Sequence, residues 1–157
     1  MANIAQLVNV LQALILTEGG KMLLTPTYHV FDMYQVHHDA TFLPVDVTTD
    51  KSVLGPESLP TVSASASRDA QGRVHLSLVN LDPKAAATVE ARIVIEGQKF
   101  TSVSGRVLTA PAMDTHNSFD VPNRVQPAAF TGATLQGSSL KAQLPPRSVV
   151  VLTLTGA

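Results

Sequence analysis

The sequence contains no cysteine, no tryptophan and only two tyrosines, and charged residues fill just 15% of its 157 positions. Without cysteine there are no disulfides, no thiolate zinc sites and no thiol nucleophile. Without tryptophan, the largest flat apolar face for stacking on a sugar ring is missing. The net charge of −1, with no run of Lys or Arg, leaves no electrostatic footprint for nucleic acid. Long hydrophobic runs are also missing: Leu11–Leu16 is too short to span a bilayer, and Glu18 and Lys21 close it. The start carries neither a basic n-region nor a small-residue cleavage site, so the expected location is cytoplasmic by default. No Gly-rich phosphate loop and no G-x-S-x-G elbow occurs, and no cofactor is expected.

What is present falls into two unlike parts. Ile4, Leu7, Val8, Leu11, Leu14 and Ile15 follow helical spacing, and Val10, Ala13 and Leu16 widen that stripe. The pattern predicts a helix over 2–17, buried on most sides and ended by Gly19-Gly20. Lys21–Thr25 (KMLLT) predicts a short buried parallel strand. Thr25-Pro26 then opens a second helix over Pro26–His38. Helix, strand, helix is the repeating unit of an α/β barrel, yet a barrel needs eight units and about 250 residues. Residues 1–42 therefore predict the end of an incomplete barrel, and the chain reads as the tail of a larger enzyme.

From residue 43 onward the period becomes two, apart from a Pro/Asp/Ser-rich connector over 45–60. Val62, Ala64 and Ala66 alternate with Ser63, Ser65 and Ser67; Val74, Leu76 and Leu78 repeat the pattern, as do Val89, Ala91, Ile93 and Ile95. Phe100–Leu108, Thr134–Leu144 and Arg147–Thr155 are further candidates, with breaks at Asn80-Leu81-Asp82-Pro83 and Pro145-Pro146. The expected fold class is mainly β: an antiparallel, jelly-roll-like sandwich over 43–157, preceded by a helix–strand–helix remnant of a (β/α)8 barrel over 1–42.

Particular strings carry a resemblance. ANIAQLVNVLQALILT and KMLLTPTYHVFDMYQVH resemble the end of the catalytic barrel of glycoside hydrolase family 51 α-L-arabinofuranosidases. VSASASRDAQGRVHLSLVNLDP, SVSGRVLTAPAMDTHNSFDVPNRVQPAAF and LPPRSVVVLTL resemble that family's C-terminal sandwich. The resemblance implies a retaining glycosidase that removes terminal arabinofuranosyl groups from arabinan or arabinoxylan. It also implies two catalytic glutamates on barrel strands that precede the AQLVN segment. Gln6 of AQLVN matches a family glutamine that hydrogen-bonds the arabinose, a role expected only in an intact enzyme. A further implication is that the first sandwich strand comes from ahead of the barrel, leaving an open sheet edge here.

The residues agree with an inactive segment. Retaining hydrolysis needs two carboxyl groups roughly 5–5.5 Å apart. The four glutamates are Glu18, Glu57, Glu90 and Glu96, read as a helix end, a connector and sandwich strands. Glu90 and Glu96 on one strand would stand about 20 Å apart. No catalytic residue is assigned. Tyr28-His29 and His37-His38-Asp39 offer imidazole and carboxylate. Helical spacing nonetheless separates His29 from His37 by about two turns, so no metal site is assigned.

Two other functions stay open. One is a carbohydrate-binding sandwich, although Phe100, Phe119 and Phe130 read as core or loop plugs. The other is a small esterase-like hydrolase, which needs a serine near His75 or His29; His75 reads as an exposed mid-strand residue. An arabinose-containing polysaccharide or oligosaccharide is the expected partner through the intact enzyme, with no nucleic acid and no membrane. A homo-oligomer is expected through helix 2–17 and the open edge.

Overall fold

The structure is a computed structural model that describes residue 4 and residues 6–156, apart from the side chains of Ser52 and Leu54. In chain order the elements are β1 (Ile15–Glu18), β2 (Lys21–Leu24), α1 (Pro26–Tyr34) with a 3-10 turn at Gln35–His37, and β3 (Thr41–Leu43). There follow β4 (Lys51–Leu54), β5 (Glu57–Pro60), β6 (Val62–Arg68), β7 (Val74–Asn80), β8 (Ala87–Arg92) and β9 (Phe100–Leu108). The last are β10 (Ala128–Ala129), β11 (Ala133–Gln136), β12 (Ser139–Leu144) and β13 (Ser148–Gly156). A six-stranded sheet, ordered β10-β9-β13-β7-β6-β3, faces a three-stranded sheet, β11-β12-β8; β1-β2 and β4-β5 are separate hairpins. All these strand pairs are antiparallel.

Alternation explains how the sheets meet. Successive strand side chains point to opposite faces, so Val150, Leu152 and Leu154 of β13 face one way. They form one core with Val74, Leu76 and Leu78 of β7, Val62 and Ala66 of β6, and Leu140, Ala142 and Leu144 of β12. Each fully buried valine or leucine among them contributes about 1.5–3 kcal/mol. At Gly105 of β9 the chain approaches its neighbours closely. An added Cβ would lie 2.6 Å from Leu152 Cδ2 and 3.1 Å from the Val151 carbonyl oxygen, so this position has no room for a side chain.

The opposite face of the large sheet is covered too. Val151 of β13 and Leu108 of β9 pack with Met33 of α1 and Val125, flanked by Val30, Tyr34, Val36 and Val149. The large sheet is thus a middle layer, which is why every β7 residue except the half-buried Val79 is buried. Helix α1 forms where Pro26 occupies the first turn and the Thr25 hydroxyl accepts from the Tyr28 amide at 3.3 Å. Asn80 pins the β7–β8 turn by donating to the carbonyls of Ala85 and Pro145, both at 2.9 Å.

The helix predicted over 2–17 is not formed. Ala2, Asn3 and Ala5 lie outside the described residues. From Leu7 the chain bends, turns and enters β1 as a strand. Asn9 and Gln12 have φ of 54° and 59°, a left-handed backbone that no α-helix contains. Val8 pairs with Ile15 in a parallel bridge, and the Ile15 amide donates to the Leu7 carbonyl at 3.0 Å. The Asn9 side chain accepts from the Thr17 amide at 2.7 Å and donates to its hydroxyl at 2.8 Å. Tertiary hydrogen bonds override the apolar periodicity, which buries Ala13 and leaves Leu11 91% exposed. Lys21–Leu24 is a strand as expected, but antiparallel to β1 in a hairpin turned by Gly19 and Gly20. The second helix is shorter than expected and finishes as the 3-10 turn.

Candidate functional site

Two places carry polar chemistry. The first is the N-terminal wrap, residues 6–14, folded back along the β1–β2 hairpin. Gln6 lies exposed at its start. Asn9, which the sequence reading passed over, fixes the shape of the wrap through Thr17; its position inside AQLVN was the available signal. Thr25 ties the wrap to helix α1: its hydroxyl donates to the Ala13 carbonyl at 2.8 Å and its amide to the Leu14 carbonyl at 3.0 Å. Asn117 holds the other side of the hairpin, donating to the Leu24 carbonyl at 2.8 Å.

The second place is a polar cluster between the 3-10 turn and the outer face of the large sheet. His37 Nδ1 lies 2.7 Å from Ser67 Oγ of β6, and His37 Nε2 lies 2.6 Å from Ser77 Oγ of β7. His75 of β7 stands edge-on to His37, with ring centroids 6.4 Å apart. His75 Nε2 meets Asp69 Oδ2 at 2.9 Å and Nδ1 meets Thr153 Oγ1 at 3.1 Å. Asp69 also accepts from Arg73 Nε at 2.6 Å and from the amides of Gln71 and Arg73. Desolvation pushes the Asp69 carboxyl up, but the bonds from His75 and Arg73 outweigh it and hold the group at about 2. Burial, then the neighbouring His75 and His38, push His37 below its ordinary value.

Histidine, serine and aspartate therefore do come together, though not as a hydrolytic triad. His75 is 2% exposed, which corrects its reading as a surface residue. The only carboxylate bonded within the cluster belongs to His75, whereas the serines belong to His37. Ser67 and Ser77 are 4% and 1% exposed, so neither oxygen is open to a substrate. Asp82 lies apart from the cluster and caps the turn after β7, accepting from the amides of Lys84 and Ala85 at 2.7 and 2.8 Å.

The remaining candidates are scattered. His29 sits half-buried on α1, and His38 and Asp39 are exposed beyond the 3-10 turn. Among the described residues, no three His, Cys, Asp or Glu side chains are grouped to hold a metal ion. Glu18 ends strand β1 rather than a helix, Glu57 begins β5, Glu90 projects from β8 toward Lys141, and Glu96 lies in a turn rather than on a strand. Phe100 is buried and Phe130 packs against the same core.

The fold is thus a β-sandwich domain with a helical segment folded on its larger sheet and with its histidine–serine contacts sealed from solvent. Comparison with known proteins identifies which one. Residues 1–148 match the family described as the α-L-arabinofuranosidase C-terminal domain, and the chain belongs to that family. It is 46% identical over 155 residues to an intracellular exo-α-L-arabinofuranosidase of Bacteroides ovatus, covering 98% of this chain and 30% of that protein. The crystal structure of a GH51 arabinofuranosidase from Xanthomonas axonopodis pv. citri superposes with a TM-score of 0.93 at 48% identity, over 99% of this chain and 31% of that one. A family 51 α-L-arabinofuranosidase from Bifidobacterium longum shares the fold, with a TM-score of 0.83 at 20% identity, over 96% of this chain and 30% of that one. The chain thus spans about a third of the length of these relatives, and it corresponds to their C-terminal part.

Proposed function

We propose that these residues serve as the accessory C-terminal part of an enzyme that removes terminal arabinofuranosyl groups from arabinan or arabinoxylan inside the cell. The observation that carries this is the near-complete cover of the chain at 46–48% identity by two arabinofuranosidases. The residues ahead of β3 act as the end of the barrel, and the sandwich that braces it begins at β3, two residues before the expected boundary at 43, because Thr41–Leu43 pair with β6. Gln6 supplies a hydrogen bond to arabinose once the rest of the pocket is assembled around it; its exposure at the start of the wrap supports that role. The 157 residues alone do not catalyse the reaction, since Glu18, Glu57, Glu90 and Glu96 occupy separate elements. Assaying the purified chain with an aryl α-L-arabinofuranoside tests this: no turnover above background is expected, and robust turnover would refute it. Calorimetry with arabino-oligosaccharides separates the bracing role from a carbohydrate-binding one, which would give saturable heat.

Assembly follows from the unequal sheets. Strand β8 is one of the two outer strands of the smaller sheet. Beside it opens a cleft of about 550 Å³ lined by Leu43, Val62, Ala64, Leu76, Leu78 and Ile93, among others. An extended strand pairing with β8 would cover that apolar surface and satisfy the edge. The place suits the strand that the family resemblance brings from ahead of the barrel. When these 157 residues are prepared alone, a second copy of the chain fills it and gives a homo-oligomer, together with exposed Leu7, Val8 and Leu11 of the wrap. A monodisperse monomer in light scattering would count against this.

A further inference from the structure

We propose that His37 is an acid-released latch, fastening the 3-10 turn and helix α1 to the outer face of the large sheet while neutral and letting go when protonated. The geometry is unusual for a histidine in a cluster that contains a carboxylate. Both His37 nitrogens are committed to uncharged hydroxyls, Ser67 Oγ at 2.7 Å and Ser77 Oγ at 2.6 Å. A neutral imidazole suits this pair, since one nitrogen donates to a hydroxyl and the other accepts from one. A protonated imidazole must donate from both nitrogens, so both serines must accept and turn their own protons elsewhere. Ser67 and Ser77 are both buried, so each has few other partners for its own proton.

The charged surroundings oppose the proton further. Tyr34 and His38 face His37 from its own segment, with Tyr34 5.5 Å away ring to ring. From the sheet it meets Ser67, Ser77 and His75. Asp69 lies behind His75, held by that imidazole and by Arg73, and Thr153 bonds the remaining His75 nitrogen. A positive charge on His37 would therefore sit beside a second imidazole that separates it from the carboxylate. Burial already disfavours that charge. Because the ordinary value of 6.5 is lowered in the folded chain, the released state binds the proton more readily, and the latch weakens as pH falls below about 6.5 and on through the lowered folded value.

Release is local. Met33 still packs against Leu108, Val125 and Val151, so α1 stays docked there while the 3-10 turn and the hydrogen bonds of the last helical turn loosen.

Hydrogen exchange followed by NMR on the 157-residue chain tests the latch, in a His29→Gln background so that the other imidazole on α1 does not contribute. Between pH 7.5 and 5.0, corrected for intrinsic exchange, protection of amides 33–38 should fall at least tenfold more than that of β13. The His38→Gln variant should keep this response. His37→Gln, which can bond to the serines and cannot charge, should remove it. Unchanged protection at pH 5.0, or the same fall in His37→Gln, would overturn the proposal. Where His37→Gln does not fold, the His37 imidazole is titrated in the His29→Gln chain. A titration midpoint coinciding with the loss of protection supports the latch, and a midpoint more than one pH unit away overturns it.

Discussion

Replacing Asp69 by Asn keeps the shape of the residue and removes its charge. Four hydrogen bonds converge on this carboxylate: the Gln71 and Arg73 amides on Oδ1, and Arg73 Nε and His75 Nε2 on Oδ2. An Asn oxygen can serve only one of these pairs, leaving its NH2 against the donors of the other. The depression from the ordinary 3.8 to about 2, at about 1.4 kcal/mol per pH unit, caps the charge-dependent contribution near 2.5 kcal/mol. Arg73 is 48% exposed, so solvent screens its share, and about 1–2 kcal/mol is the expected loss at pH 7. A carboxyl held below its ordinary value contributes stability above that value and loses it as pH falls through the folded one. The gap between wild type and Asp69→Asn in urea unfolding should accordingly be present at pH 7 and shrink between about pH 4 and pH 2. A gap below about 0.3 kcal/mol at pH 7, or one that stays constant down to pH 2.5, would refute the account of the cluster.

Two shorter predictions concern the wrap and the core. Asn9→Ala removes both bonds to Thr17 while leaving a left-handed backbone position occupied by alanine; the Thr17 amide should exchange at least tenfold faster, with global stability reduced by only about 0.5–1 kcal/mol. Leu152→Ala, at a fully buried site in the centre of β13, should cost about 2–5 kcal/mol in urea unfolding, and a cost below about 1 kcal/mol would show that the two sheets are not packed together there.

The sandwich was legible because its strands obey a period of two. Val62/Ala64/Ala66 and Val74/Leu76/Leu78 do face one core, and the bounds of β9 match the run Phe100–Leu108. Thr134–Leu144 divides into two strands because Gly137 reverses the chain with φ of 60°. The first helix was misread because periodicity counts apolar positions and cannot see where a backbone turns left-handed. Asn9 is among the residue types that tolerate this conformation, and its bonds to Thr17 join residues that a local window treats as one helix. The polar cluster was illegible for a related reason: alternation predicts which strand residues share a face, and it does not reveal that a second layer covers the polar one.

That second layer accounts for the serines. On β6, Ser63 and Ser65 are exposed while Ser67, on the same face, is buried. What distinguishes Ser67 is His37 above it, reaching down from the 3-10 turn, with Ser77 next to it on β7. A valine at Ser67 would suit a buried strand position better by propensity, but it would leave one His37 nitrogen without a partner in a site shielded from water. The same holds for Ser77. The polar residues of β6 and β7 that resemble catalytic parts are therefore explained by what they support, a histidine that must be satisfied where the helical segment docks. Burial from both sides gives the large sheet its stability, and it is also what closes these histidines and serines to any substrate.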